Sequence, residues 1–366
     1  MAKTRSLLGL SFLLAALASC ASPPPAKQQM YVGAAVSVKH LTEDPAYKKL
    51  VDQFFSVITP ENEMKWGETE KERGKEVTTD LDTLHEYVIK NGKKLRGHAI
   101  LAHTQNPNWV SNLSKEDMKA AAYKHMELIF KKYAKSMISL DVCNEIIDDT
   151  GGVLRQTVWL QTWGEEFIVD IYTEARRLAK LYNPDVLLFI NDFSIEEKNV
   201  KSDKMLELAT SLHKKGILDA VGFQSHLEVG KFPKDFQKNL QRFIDAGLLV
   251  ALSELDIRIK LQGRSESEIA KDREQQTKDF EAAFEVCAGL DGCLGITLWG
   301  VSDQYSWIPT TPGTSAEPLA SFFSSPSLAA PDAGEALMFD KDYKPKPSFD
   351  SLKGYFTPSR RASRCA

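Results

Sequence analysis

Two segments, Leu140-Asp141-Val142-Cys143-Asn144-Glu145 and Ala251-Leu252-Ser253-Glu254-Leu255-Asp256, each carry an apolar run straight into a glutamate with polar neighbours. A glutamate at the exit of a strand stands clear of the core yet is rigidly held. Two such carboxylates converging on one cleft supply what cleavage of a glycosidic bond requires, one to give and take a proton and one to attack the sugar carbon. That chemistry depends on a fold that brings Glu145 and Glu254 together.

Short runs rich in Val, Ile, Leu and Phe recur eight times, at Tyr31 to Ser37, Ser56 to Thr59, Lys94 to Leu101, Met137 to Cys143, Val186 to Ile190, Ala220 to Gln224, Val250 to Ser253 and Leu294 to Leu298. Between them lie segments with helical pattern or composition: Leu81 to Asn91, Ser114 to Tyr133, Glu165 to Tyr182, Lys204 to Lys215, Asp235 to Ala246 and Ser267 to Ala288. Ser114 with Asp117 three residues on reads as a weak capping box, and Gly216 and Gly247 as helix stops. Strands alternating with helices eight times predict an α/β fold, a single (β/α)8 TIM barrel with its active site at the C-terminal ends of the strands. A doubly wound sheet is the main rival, weakened because no Gly-x-Gly-x-x-Gly follows the first strand. In a barrel every strand exit opens onto one face. Glu145 and Glu254 then share a rim with Glu61, Asn62, Lys65, His98, His103, Gln105, Asn191, Asp192, Gln224, His226, Trp299 and Trp307. Polar side chains interleaved with tryptophans suit a sugar, whose hydroxyls want directional partners and whose ring faces want flat apolar ones.

The chain has 366 residues, 43% hydrophobic and 26% charged, enough for one large domain. A net charge of -4 with no basic face argues against a nucleic-acid partner. Residues 1–19 read as a signal peptide, with Lys3 and Arg5 ahead of the apolar run Leu7 to Leu17. Leu17-Ala18-Ser19-Cys20 is similar to a bacterial lipobox, which makes Cys20 a lipidation candidate and its protein a secreted or outer-membrane species; ordinary cleavage near Ala21 is the alternative. Residues 20–29 form a Pro-rich tether, 30–356 the catalytic barrel, and 357–366 a disordered tail, with no appended binding module expected. No later segment is long and apolar enough to span a membrane, so any membrane attachment runs through that lipid, and a monomer is expected. In an exported protein Cys287 and Cys293 can form a local disulfide, whereas Cys143 reads as a buried thiol and Cys365 has no evident role.

The motifs Thr59-Pro60-Glu61-Asn62-Glu63-Met64-Lys65-Trp66, Arg96-Gly97-His98, Asp141-Val142-Cys143-Asn144-Glu145, Gly222-Phe223-Gln224-Ser225-His226-Leu227, Ser253-Glu254-Leu255-Asp256 and Gly295-Ile296-Thr297-Leu298-Trp299-Gly300-Val301 occur in order. From Tyr31 to about Phe356 the chain resembles glycoside hydrolase family 10, the retaining endo-1,4-β-xylanases. The resemblance implies that Glu145 is the acid/base, protonated at rest, and Glu254 the nucleophile, with carboxyls about 5 to 5.5 Å apart. It implies that His226 hydrogen-bonds the nucleophile with Asp256 behind it, and that Asn144 meets the 2-hydroxyl at the cleavage point. Glu61, Asn62 and Lys65 would bind the next sugar on the non-reducing side, His98, Gln105 and Gln224 further positions, and Trp299 and Trp307 the aromatic walls. No metal or organic cofactor is implied, and the substrate would be xylan or a related β-1,4-linked polysaccharide.

Trp66 and Trp109 read as structural. Trp159 and Trp163 favour packing, with a place on the leaving-group side as the sharper option, and His103 and Asp192 shape the site without touching sugar. The chain departs from the family pattern at Ala102, where tryptophan is usual, at Phe193 for tyrosine, at Ile308 for arginine, and at Leu140 and Cys143, which are packing positions. Ala102 removes a stacking surface worth on the order of a kcal/mol on the non-reducing side. The segment Thr310 to Gly334 reads as a long loop near the site, with Phe322 and Phe323 as possible contacts.

Overall fold

The computed structural model of the protein describes residues 30–308 and 333–356. The signal peptide, Cys20, the tether, most of the 310–334 segment with Phe322 and Phe323, and the tail with Cys365 lie outside the described residues.

Eight parallel strands close on themselves: β1 Tyr31–Val36, β2 Val57–Pro60, β3 Lys94–Gly97, β4 Met137–Asn144, β5 Leu187–Asp192, β6 Ala220–Phe223, β7 Leu249–Lys260 and β8 Cys293–Leu298. Each pairs with the next, and β8 pairs with both β7 and β1, so no edge remains in this ring. This is the (β/α)8 barrel the sequence predicts. The longest helices, Lys115–Tyr133, Phe167–Tyr182, Val200–Lys214 and Glu266–Gly289, cover its outside and bury their apolar faces against the strands. Ser114 caps the first of these through the Asp117 amide at 3.1 Å, and Ser265 with Glu268 makes a reciprocal capping box on the last. Cys287 and Cys293 are joined, tying the end of that helix to the start of β8.

Two strands differ from the sequence reading. The run Lys94 to Leu101 is not one strand: β3 ends at Gly97, the chain turns through His98 to Ile100, and Leu101–Ala102 resumes as a short strand paired with Cys143 and Asn144. The seventh strand does not stop at Ser253 but continues through Glu254 to Lys260. The added length is paired on one side by His226–Glu228 and near its end by antiparallel Ala333–Gly334. The end of the 310–334 segment is therefore strand rather than loop. The register of the His226–Glu228 pairing sets His226 opposite Asp256.

The barrel interior carries charge. Arg96 and Asp141 are wholly buried, joined at 2.6 Å, and the same Asp141 oxygen meets His98 Nδ1 at 2.7 Å. Removing Arg96 leaves the buried Asp141 carboxylate with His98 as its remaining partner and no full counter-charge, a cost of about 3 to 5 kcal/mol. Arg96→Met should lower the unfolding free energy by that amount in urea titration, and Arg96→Met/Asp141→Leu should recover much of it.

Candidate active site

Glu254 sits mid-strand on β7, and the sheet supplies its partners. Asn191, near the end of β5, donates from Nδ2 to Glu254 Oε1 at 2.6 Å and to Asn144 Oδ1 at 2.8 Å, while Ser253 Oγ donates to Asn191 Oδ1 at 2.5 Å. Gly222 on β6 makes room for this amide, since a Cβ there would fall 2.3 Å from Asn191 Oδ1. On the other carboxylate oxygen, His226 Nε2 lies 3.3 Å away, and its Nδ1 meets Asp256 at 3.0 Å. Burial alone would drive the imidazole toward neutrality, but Asp256 and Glu254 outweigh it and raise His226 to about 10. Trp307 Nε1 donates to the same Asp256 oxygen at 2.7 Å and packs edge-on against His226.

Glu145 follows β4 in a left-handed conformation, φ 59°, unusual outside glycine. Its backbone is pinned on both sides: its amide donates to Asn191 O at 2.9 Å, and Arg155 Nε donates to its carbonyl at 2.9 Å. Gln224 Nε2 donates to Oε1 at 2.9 Å, and His103 Nδ1 stands 2.5 Å from Oε2. This His103 approach is bent, because Nδ1 has no acceptor along the direction of a straight hydrogen bond. The resemblance implies a carboxyl protonated at rest, and the groups around it pull in both directions. Burial does push it upward, but His103, Gln224 and Arg155 together hold it down at about 2. The sequence reading weighed the charge on Glu254 and left out the imidazole.

Both glutamates line one cleft with Glu61, Asn62, Lys65, His98, Ala102, Gln105, Asn144, Trp299 and Trp307. Asn62, Lys65 and Gln105 form a closed triangle: Lys65 Nζ donates to Asn62 Oδ1 at 3.0 Å and Gln105 Oε1 at 2.7 Å, and Gln105 Nε2 donates to Asn62 Oδ1 at 3.0 Å. Enclosure, with repulsion from Glu63 that Lys65 only partly offsets, raises Glu61 to about 7, where it can either donate to or accept from a hydroxyl. Asn144 Oδ1 accepts from Asn191 at 2.8 Å and Gln224 at 3.3 Å, which leaves its amide NH2 for a sugar. A hollow of about 660 Å³ shares Asn62 and Gln105 with this cleft and continues it outward.

The remaining aromatics pack. Trp66 and Trp159 are stacked and buried, with Trp159 Nε1 bonded to Ala102 O at 2.8 Å, while Trp109 Nε1 reaches Glu70 O at 3.0 Å and Trp163 Nε1 reaches Asp170 at 3.2 Å. The leaving-group option for Trp159 and Trp163 falls away, since both are enclosed. Phe193 lies under Lys201, whose Nζ is 3.5 Å from the ring centre and 2.8 Å from buried Asp192. Ile308 is buried beside Trp307. Among the described residues no cluster of His, Cys, Asp and Glu suited to a metal occurs. Sequence reasoning missed the bridging role of Asn191 and missed Arg155 altogether. Asn191 carried a signal in its place at a strand exit, but Arg155 sits in a loop without pattern.

Because His226 is raised in the folded state, its protonation stabilises the fold fully below pH about 6.5, and that stability is lost as pH rises through about 10. The melting-temperature gap between wild type and His226→Gln should therefore be widest below pH about 6.5 and shrink toward pH about 10.

Residues 24–355 match the family model described as glycosyl hydrolase family 10. A curated endo-1,4-beta-xylanase from Agaricus bisporus is 35% identical over 283 residues, 76% of this chain and 82% of that protein. Endo-1,4-beta-xylanase B of Thermotoga neapolitana is 30% identical over 86% of this chain and 84% of its own length. Among solved structures, an endo-beta-1,4-xylanase from Gloeophyllum trabeum superposes with a TM-score of 0.78 at 34% identity, covering 90% of this chain and 97% of that one. A family match across nearly the whole barrel, together with relatives of this identity and coverage, shows that the chain belongs to glycosyl hydrolase family 10.

Proposed function

We propose that the protein is an endo-1,4-β-xylanase that cleaves with retention through a covalent glycosyl enzyme. The observation that carries this is a single cleft holding two carboxylates in unlike settings, Glu254 between an amide and a histidine, Glu145 between an amide and a second histidine. Glu254 attacks the anomeric carbon while Glu145 protonates the departing oxygen; Glu145 then draws a proton from the water that releases the product. Asn144 offers its amide to the 2-hydroxyl at the cleavage point, where contact strengthens as charge develops. Glu61, Asn62, Lys65 and Gln105 bind the adjoining sugar, with His98 and Gln224 completing the floor and Trp299 and Trp307 the walls. The hollow beyond Asn62 and Gln105 supports action within a polymer rather than at its end. A structure of xylanase 10B from Thermotoga petrophila in complex with xylobiose, 29% identical to this chain with a TM-score of 0.78, agrees with this substrate class.

Glu254→Ala should abolish turnover of xylan and regain it with azide, giving the α-azide. Glu145→Ala should lose about a hundred- to ten-thousandfold on xylan. Normal hydrolysis by Glu254→Ala would remove the nucleophile assignment. Ala102 lies in the cleft wall and favours a second reading, a family member turned to another β-glycan. Parallel assays on xylan, mixed-linkage glucan and aryl cellobiosides separate the two, and a clear preference for glucan sinks the xylanase reading. The order of charge, apolar run and small residues before Cys20 supports export, with Cys20 lipidated; mass analysis of the mature N-terminus tests it.

A further inference from the structure

Gln224 and His226 serve opposite glutamates from one short stretch of chain: Gln224 Nε2 donates to Glu145 Oε1 at 2.9 Å, and His226 Nε2 lies 3.3 Å from Glu254 Oε2. Ser225 stands between them. The chain does not pass through it as a regular strand, because the pairing with β7 changes register there. Phe223 sits opposite Leu252 and His226 opposite Asp256, so three steps on one side face four on the other. Ser225 absorbs the slip in a left-handed conformation, φ 61°, which serine rarely adopts and which lasts only where its surroundings fix it.

A buried carboxyl from another strand's exit does the fixing. The Ser225 amide donates to Glu196 Oε1 at 2.8 Å, and its hydroxyl donates to Phe223 O at 3.2 Å. Glu196 lies in the segment after β5 and is 6% exposed. The backbone leading into it is tied down: Asn239, on the helix Phe236–Asp245, donates from Nδ2 to Ile195 O at 2.7 Å, and Asn199 Nδ2 donates to Ser194 O at 2.9 Å. The Gln224 amide is taken by Asp192 O at 3.1 Å. A carboxyl so enclosed is costly to bury, and burial raises it above its usual range against the pull of the Ser225 amide, His226 and Lys201. The cleavage chemistry itself makes no use of it.

We propose that Glu196 is a positioning residue for both reacting groups: by holding the Ser225 amide it fixes the one turn from which Gln224 meets the acid/base and His226 meets the nucleophile. Withdrawing the acceptor lets Ser225 relax toward the extended region, and the two side chains then leave their carboxyls together. A misplacement of about 1 Å at a reacting centre costs up to about a hundredfold in rate. Reach rather than charge is what the turn needs, since a carboxylate, a neutral carboxyl and an amide oxygen can each accept from the Ser225 N–H.

Glu196→Gln keeps the reach and an acceptor, whereas Glu196→Asp keeps the charge and withdraws the oxygen by one methylene. On phenyl xylobioside, whose leaving group needs a proton, Glu196→Asp should lose about a hundredfold in kcat/KM. On the dinitrophenyl analogue, whose leaving group does not, the loss should be about tenfold, and Glu196→Gln should lose less than about threefold on either. Equal loss on both substrates, loss on one alone, or Glu196→Asp outperforming Glu196→Gln would overturn the proposal. The wild-type chain supplies a measurement that no folding defect can obscure. Its Ser225 amide should exchange hydrogen at least about a hundredfold more slowly than an unstructured peptide, and exchange at the free-peptide rate would show the amide unheld and the proposal wrong. The proposal rests on Glu145 as acid/base and Glu254 as nucleophile. Normal turnover of the dinitrophenyl substrate by Glu254→Ala, or equal loss on both substrates by Glu145→Ala, breaks that reading; with those two behaving as expected, failure of Glu196→Asp to show both losses breaks the proposal alone.

Discussion

The site depends on compensating buried charge. Glu254, Asp256, Asp141 and Glu145 are all nearly or wholly buried, and carboxylates taken out of water are stable only when partners replace the lost hydration. The barrel provides those partners in pairs that cross between strands. Arg96 on β3 answers Asp141 on β4, His226 beside β6 answers both Glu254 and Asp256 on β7, and Asn191 on β5 spans from Asn144 to Glu254. Each reacting group is thus held by a residue from a neighbouring strand, so the geometry of the site is the geometry of the closed sheet.

Three local departures from a plain barrel refine that geometry. The short Leu101–Ala102 pairing lengthens the sheet past Gly97 and brings His103 to Glu145. The extension of β7 beyond Ser253 turns His226 and Asp256 into cross-strand neighbours. The positive φ of Glu145, with its amide and carbonyl both bonded, ends β4 in a fixed turn rather than a loop, so Glu145 is as firmly placed as a strand residue. The same logic explains why the two glutamates differ. Glu254 has a histidine that its two carboxylate neighbours raise to about 10, and Glu145 has a histidine 2.5 Å from its Oε2.

Most of the architecture was legible because hydrophobic runs alternate with helical segments, and that signal survives without an alignment. The eight barrel strands fall within a few residues of their expected starts, and Cys287 pairs with Cys293 as their closeness suggested. What was not legible came from pairing partners that lie far away in the chain. Ser253-Glu254 looks like a strand exit because polarity rises there, yet β7 runs on because His226–Glu228 and Ala333–Gly334 satisfy its backbone. Lys94 to Leu101 looks like one run because Leu95 and Ala99-Ile100-Leu101 stand on either side of Arg96-Gly97-His98, although the chain bends at His98. The contact of His103 with Glu145 was not legible for the same reason, since a carboxylate neighbour was visible in the motif and an imidazole contact made by strand register was not.

The central claim is that Glu254 becomes covalently bonded to the sugar in this cleft. The most direct measurement is mass spectrometry of peptides from enzyme inactivated with a 2-fluoro xylobioside bearing a good leaving group, which slows release of the glycosyl enzyme. The account predicts one disaccharide unit in ester linkage to Glu254, and none when His226→Gln or wild type is treated after saturation with a competing xylo-oligosaccharide. A label on Glu145 or on any other residue, or turnover of the reagent with no covalent adduct at all, would contradict it.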